Sequence, residues 1–212
     1  LLVVLARTAG EPGDREGLSL FLVDAASAGI SRRGHRTVDG QRAAEIGFAG
    51  VRVGRDSLLG EAGQAHDLAA QVIAETILAL GAEAVGALSV LIDTTVEYAK
   101  TRKQFGVAIG NFQALQHRMA DMFMAGEQTR SLLLAATLKV LEGHADAALA
   151  VHALKVQIGT GGRRIAQEAI QLHGGMGMTD ELSVGHYAKR LTAIDALFGN
   201  SDRHLLAYAR AS

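Results

Sequence analysis

Two short stretches carry side chains suited to holding a polar ligand. The first is Arg102-Lys103-Gln104-Phe105-Gly106. An arginine guanidinium offers two parallel N–H donors, a match for the oxygens of a phosphate. The second is Gln171-Leu172-His173-Gly174-Gly175-Met176-Gly177. Glycines lack a Cβ and let a ligand or a second subunit approach the backbone, and Gln171 beside them can hydrogen-bond an amide or a hydroxyl. Each stretch also has a plainer reading. Lys and Arg complement the negative end of a helix, with Gly106 as its left-handed cap. The glycine cluster reads equally as a loop between two helices. It is not a strand–turn–helix dinucleotide fingerprint, because no strand precedes it.

Other chemistry is thin. His117, His173, His186 and His204 have no i, i+4 partner, and with no cysteine in the chain a metal site is not expected. His152 reads as a bundle histidine. Met119, Met122 and Met124 read as core filling. The absence of cysteine excludes disulfides and fits a reducing, cytoplasmic compartment. With 21 basic and 22 acidic residues, neither nucleic acid nor an anionic membrane is the expected main partner. The most apolar stretch, Glu75 to Val96, is interrupted by Glu83 and Asp93. It reads as a buried bundle helix, not a bilayer span.

The elements that must position the two stretches follow from patterning. Leu1 to Ala6 and Leu18 to Val23 read as strands around a Gly- and Asp-rich loop. A third strand runs from Ile30 through Val38 to the Asp39-Gly40 turn, and a fourth covers Ala44 to Val53. Four strands without a closing partner make an incomplete sheet. From about residue 65 the pattern is helical to the end. Long helices are expected at 66–102, 112–142 and 145–172, and shorter ones at 181–195 and 201–210. Val72, Leu80, Ala84, Ala87 and Leu91 form the apolar face of the first. Gly159, Gly161 and Gly162 interrupt the third or admit a close neighbour, and Asn200 or Ser201 caps the last. Val107 to Asn111 is a tight connection, so the first two long helices lie antiparallel. The expected class is α+β, with part of a β-domain over 1–62 and an up-down four-helix bundle over 63–212. The chain opens on a strand without Met, so it is expected to begin inside a domain.

At these motifs the sequence resembles the acyl-CoA dehydrogenase family. Leu18 to Asp24, Ala28-Gly29-Ile30, Val51-Arg52-Val53 and Leu58-Leu59-Gly60 resemble its middle β-barrel or sandwich domain. Tyr98 to Gly106, Phe112 to Met122 and Gln171 to Gly177 resemble its C-terminal helical domain. The family's N-terminal helical domain has no counterpart here, so these residues alone are expected to be inactive. Over Thr101 to Met122, Lys155 to Gly159 and Gly185 to Ile194, the resemblance is to the pimeloyl-CoA dehydrogenase small-subunit branch.

The resemblance implies a dimeric or tetrameric flavoprotein of fatty-acid β-oxidation. Such enzymes oxidise an acyl-CoA thioester to the trans-2-enoyl-CoA and pass electrons to electron-transferring flavoprotein. FAD is the implied cofactor, and Arg102, Gln104, Phe105, Gln171, Gly174 and Gly175 are the implied residues holding the FAD of a neighbouring subunit. The family's usual catalytic Glu falls on Phe198 here. Some members carry it instead on the first bundle helix, where the matching position is Thr76 with Glu75 beside it. Glu75 is therefore the candidate base, and Asp202 a weaker one that also suits the first turn of the last helix. Two expectations stand side by side: a working subunit with a relocated base, or a non-catalytic subunit completing a partner's flavin site.

Overall fold

The computed structural model describes residues 1–211. They form two compact units, Leu1–Ile73 and the residues from Ala74 on.

In the first unit, β1 (Leu2–Arg7), β2 (Leu18–Val23) and β5 (Leu58–Leu59) make a three-stranded antiparallel sheet with β2 in the middle. β3 (Ile30–Arg36) and β4 (Arg42–Phe48) form a separate hairpin. The four expected strands exist, but they do not share one sheet. The β1–β2 loop is tied down by the Arg7 guanidinium, which donates to the carbonyls of Ala9, Asp14 and Glu16. Buried Ser19 accepts from the backbone N–H of Gly63.

The second unit is the bundle. α1 (Ala65–Thr101) begins in the first unit and runs through it. It is followed by the short strands β6 (Lys103–Gln104) and β7 (Val107–Ala108), then α2 (Gln113–Leu141) and α3 (Ala147–His173). α4 (Ser183–Ala196) and α5 (Ser201–Ala211) complete it. The expected helices are present within a residue or two of their expected ends. Side-chain pairs fix their directions. Ser89 bonds Arg130, while a Cβ on Gly81 would touch Leu133, so α1 and α2 are antiparallel. Arg118–Glu168 and Asp121–Arg164 make α2 and α3 antiparallel. Gly81 lies against Leu154 and Ile158, and Tyr98 against His173, so α1 and α3 are parallel. Leu88, Leu91, Met122, Leu154, Ile158, Ile165, Leu191 and Ile194 fill the space between the helices. Each such burial contributes about 1.5–3 kcal/mol.

One expectation needs correction, and two are sharpened. Val72 is half exposed and does not belong to the α1 core face, which is carried by Ile77, Ala84, Leu88 and Leu91. α3 runs unbroken through its glycines, which take the second of the two expected roles: a Cβ on Gly159 would lie 2.1 Å from Asp195 Oδ1, so this glycine admits a close neighbour. Finally, α1 is by length and composition apolar enough to cross a membrane. Its Glu83 instead pairs with Arg190 of α4 at 2.6 and 2.7 Å, and its apolar face is packed in the bundle.

Candidate functional site

The two polar stretches meet at one end of the bundle. α1 and α3 are parallel and both end there, so Arg102 leaves α1 beside the point where the glycines leave α3. Tyr98, Arg102, Gln104, Ile109, Gln171 and His173 line one concavity with Gly174 and Gly175, of about 460 Å³. That lies within the roughly 300–1,000 Å³ usual for ligand clefts. The Arg102 and Gln171 side chains make no hydrogen bond or ion pair among the described residues, which leaves their donors free for a ligand. The Gln104 amide donates to the Lys103 carbonyl at 2.7 Å.

The glycines have separate jobs. Gly174 stands at φ 60°, ψ −141°, a conformation almost confined to glycine. Gly177 is needed for packing, since a Cβ there would sit 2.6 Å from the Ile170 carbonyl oxygen. Gly175 faces open space, with nothing within 4 Å of where a Cβ would be. A short 3-10 turn over Gly174–Met178 carries all three.

The Arg102 stretch is shaped differently from the expected helix end. α1 stops at Thr101, and Lys103–Gln104 pairs with Val107–Ala108 as a small antiparallel hairpin. Phe105 (φ 53°) and Gly106 (φ 80°) form its two-residue turn. Positive φ at both central positions is the backbone of a type I′ turn. Gly106 is thus a hairpin residue, not a helix cap. Phe105 is held at 92% exposure on the hairpin tip, outside the concavity, with its ring edge-on to that of Phe112 and the centroids 6.1 Å apart. A two-residue strand is too short to announce itself by alternation, which is why the sequence reading missed it.

The candidate base positions lie at the opposite end. Glu75 is exposed on α1, about 40 Å along the helix from Arg102 at 1.5 Å per residue. α3 residues near His152 are level with it, because Leu154 and Ile158 face Gly81. The α4–α5 corner comes to the same level through Lys155, whose Nζ donates to the carbonyls of Ile194 (3.0 Å), Asp195 (2.7 Å) and Gly199 (2.8 Å). Glu75 and Phe198 therefore share one end of the bundle, and neither approaches the Arg102 concavity.

That corner is closely tied. Phe198 (φ 57°) and Gly199 (φ 98°) both have left-handed backbones, so Phe198 is strained. His204 Nε2 lies 3.1 Å from the Phe198 carbonyl, which only accepts, so Nε2 carries the proton. His204 Nδ1 then accepts from His152 Nδ1–H at 2.8 Å. Asp195 Oδ1 takes the Ser201 N–H at 3.0 Å, and Oδ2 takes Arg163 at 3.1 Å. Asn200 Oδ1 caps α5 by accepting from the Arg203 N–H at 3.1 Å. Burial pushes the pKa of Lys155 down, opposed by the Asp195 carboxylate. Burial also lowers His152 and His204; for His204 the Phe198 carbonyl opposes this, while the charges of His152, Lys155 and Arg203 add to it. Asp202 sits in the first turn of α5, as its plainer reading expected.

Lys155 went unnoticed as a structural residue in the sequence. The available signal was a lone cation on the face shared by Val151, Leu154, Ile158 and Ile165, where burial demands partners.

Comparison with known proteins bears on this arrangement. A family model described as acyl-CoA dehydrogenase, C-terminal domain, matches residues 65–212. A protein named probable acyl-CoA dehydrogenase fadE25, of Mycobacterium leprae (strain TN), is 28% identical over 98% of this chain and 54% of its own length. Among solved structures, one described as PigA with FAD and proline is 29% identical with a TM-score of 0.91, covering 99% of this chain and 55% of that one. Another, the ChsE4–ChsE5 complex from Mycobacterium tuberculosis, is 26% identical with a TM-score of 0.87, covering 98% and 54%. The chain spans about half the length of the curated relatives it matches.

Proposed function

This chain belongs to the acyl-CoA dehydrogenase family, and from that premise we propose that it is the C-terminal part of an FAD-dependent acyl-CoA dehydrogenase. The observation that carries the proposal is the meeting of Arg102 and Gln171 with Gly174 and Gly175 around one concavity. FAD fits these residues. The ligand must be anionic enough for a free guanidinium, and it must lie close against backbone made bare by Gly174 and Gly175.

Arg102 holds a phosphate oxygen by paired N–H donors, and Gln171 and Gln104 orient neighbouring polar groups. Phe105, exposed on the hairpin tip, is available to a second subunit, which supports a flavin site assembled between chains. The bound flavin supplies the two-electron acceptor for α,β-dehydrogenation of an acyl-CoA thioester, with electron-transferring flavoprotein as the onward acceptor. At the other end of the bundle, about 40 Å away, Glu75 is the candidate base for the α proton, and it would serve a flavin other than the one that this chain's Arg102 holds. An α C–H is a weak acid, so this step needs a desolvated carboxylate and hydrogen bonds on the thioester oxygen.

A second reading is favoured by one observation: the left-handed residue at the α4–α5 corner is Phe198, which cannot take a proton. In this reading the chain is a non-catalytic subunit that completes a partner's flavin site. A similar protein is solved as a complex of two differently named chains, which is compatible with a hetero-oligomeric assembly.

The test is the visible spectrum of the purified full-length protein, recorded anaerobically before and after a panel of acyl-CoAs. A flavin spectrum that bleaches supports the working-subunit reading, and a Glu75→Gln substitution then abolishes the bleaching. Bleaching that survives that substitution removes Glu75 as the base. Replacing Arg102 by Ala is expected to weaken flavin binding by about 2 kcal/mol, the worth of a hydrogen bond to a charged group. Unchanged flavin content in that variant would contradict the assignment of the concavity.

A further inference from the structure

The β3–β4 hairpin treats the charges on its two faces differently. Residues directly across an antiparallel pair share a face, and so do residues two apart on one strand. One face therefore carries Ser31, Arg33 and His35 of β3 opposite Gly47, Glu45 and Ala43 of β4. Its arginine is paired: the Arg33 guanidinium donates to Glu45 Oε2 at 2.6 and 3.1 Å. The other face carries Ile30, Arg32, Gly34 and Arg36 opposite Phe48, Ile46, Ala44 and Arg42. It holds three guanidiniums and no carboxylate.

Arg32, Arg36 and Arg42 are all exposed, and none makes an ion pair among the described residues. Arg36 donates to the Gly40 carbonyl at 3.4 Å, and the acid of the turn, Asp39, accepts from the Thr37 hydroxyl. Arg36 stands directly opposite Arg42. Like charges placed so repel, and the pair works against the hairpin that carries it. Arg32 and Arg36 are about 13 Å apart along the strand. Between them the face is nearly bare, since a Cβ on Gly34 would meet just the Ala43 carbonyl oxygen, at 3.9 Å. At the far end Phe48 is 47% exposed.

We propose that this face is a docking surface for an acidic segment of a partner protein. Carboxylates of that segment take the guanidiniums of Arg32, Arg36 and Arg42, and its backbone crosses the bare stretch at Gly34 and Ala44. Two observations choose a protein over a polyanion. With 21 basic and 22 acidic residues, the chain has no net positive field to gather nucleic acid or an anionic membrane. The arginines also share their face with the apolar side chains of Ile46 and Phe48, and arginine beside aromatic residues is the composition of protein interfaces. The surface belongs wholly to the first unit and makes no use of the flavin reading.

The test uses the full-length protein labelled with 15N-arginine. It is titrated at low salt with a short polyglutamate peptide, a short DNA duplex and phosphatidylserine vesicles. Polyglutamate is expected to move the Nε–H resonances of Arg32, Arg36 and Arg42, to leave that of Arg33 in place, and to be released by added salt. Replacing both Arg36 and Arg42 by Gln should weaken polyglutamate binding about fivefold, the worth of two exposed ion pairs. The same variant should melt no lower than wild type, because it removes a repulsion and no packing. Arg33→Gln, on the paired face, should leave the affinity unchanged. Tighter binding of the duplex or the vesicles overturns the choice of an acidic protein. No response to any probe, equal shifts at all arginines, or polyglutamate binding that survives the double variant overturns the surface itself. The resonance test on wild type needs no substitution, so it decides the matter even where a variant does not fold.

Discussion

The two ends of the bundle solve opposite problems with similar residue types. At the Phe198 end, a lysine, two histidines, an aspartate and an asparagine are turned inward onto one backbone corner. Lys155 alone serves three carbonyls. At the Arg102 end, the arginine and glutamine side chains make no hydrogen bond or ion pair among the described residues. Glycine follows the same division. Gly159 is bare because Asp195 and Ser201 fill the space, while Gly175 is bare with nothing there. Polar residues that satisfy one another hold a shape, whereas polar residues left open define what must be brought in.

The largest effect should come from emptying the closed end. Lys155→Met keeps the volume but removes the donor to three carbonyls, and should cost about 3–5 kcal/mol in urea unfolding. A loss under 1 kcal/mol would mean water serves the corner as well as lysine does. Next, Gly159→Ala forces a Cβ against Asp195 and should cost about 2–3 kcal/mol. The same change at Gly175, where space is open, should leave stability within about 0.5 kcal/mol while reducing flavin affinity. Equal destabilisation at the two glycines would erase the contrast between the ends.

A smaller effect is expected from pH. Burial depresses the folded-state pKa of His152 and His204 below the ordinary 6.5. The unfolded chain then binds more protons than the folded one as pH falls below that value. The stability of the neutral pair is complete above about pH 6.5 and is lost as pH drops through the depressed folded-state values. Melting temperatures measured across this window should fall more for wild type than for His152→Gln. Parallel curves would show that the pair does not titrate with unfolding.

How much of this was legible in the sequence varied with the physics behind each part. The helices were readable because a 3.6-residue apolar repeat over some thirty positions is hard to mistake. The grouping of Arg102 with Gly174 was legible in outline, since a short connection forces α1 and α2 antiparallel and the next helix returns to the same end. Sheet partition was not, because the register of β3 with β4 depends on pairings that no single strand encodes. Phe105, assigned with the residues implied to hold a neighbouring subunit's FAD, stands exposed on the hairpin tip. The role of Lys155 was hidden because it is defined by partners 39 to 44 residues away.

The most direct measurement is amide hydrogen exchange of the full-length, flavin-free protein with and without FAD, with binding followed in parallel by the visible spectrum. Protection of residues 102–109 and 171–178 on binding is the predicted result. FAD that binds while exchange in both segments stays unchanged would contradict the assignment of this end of the bundle as the receiving one.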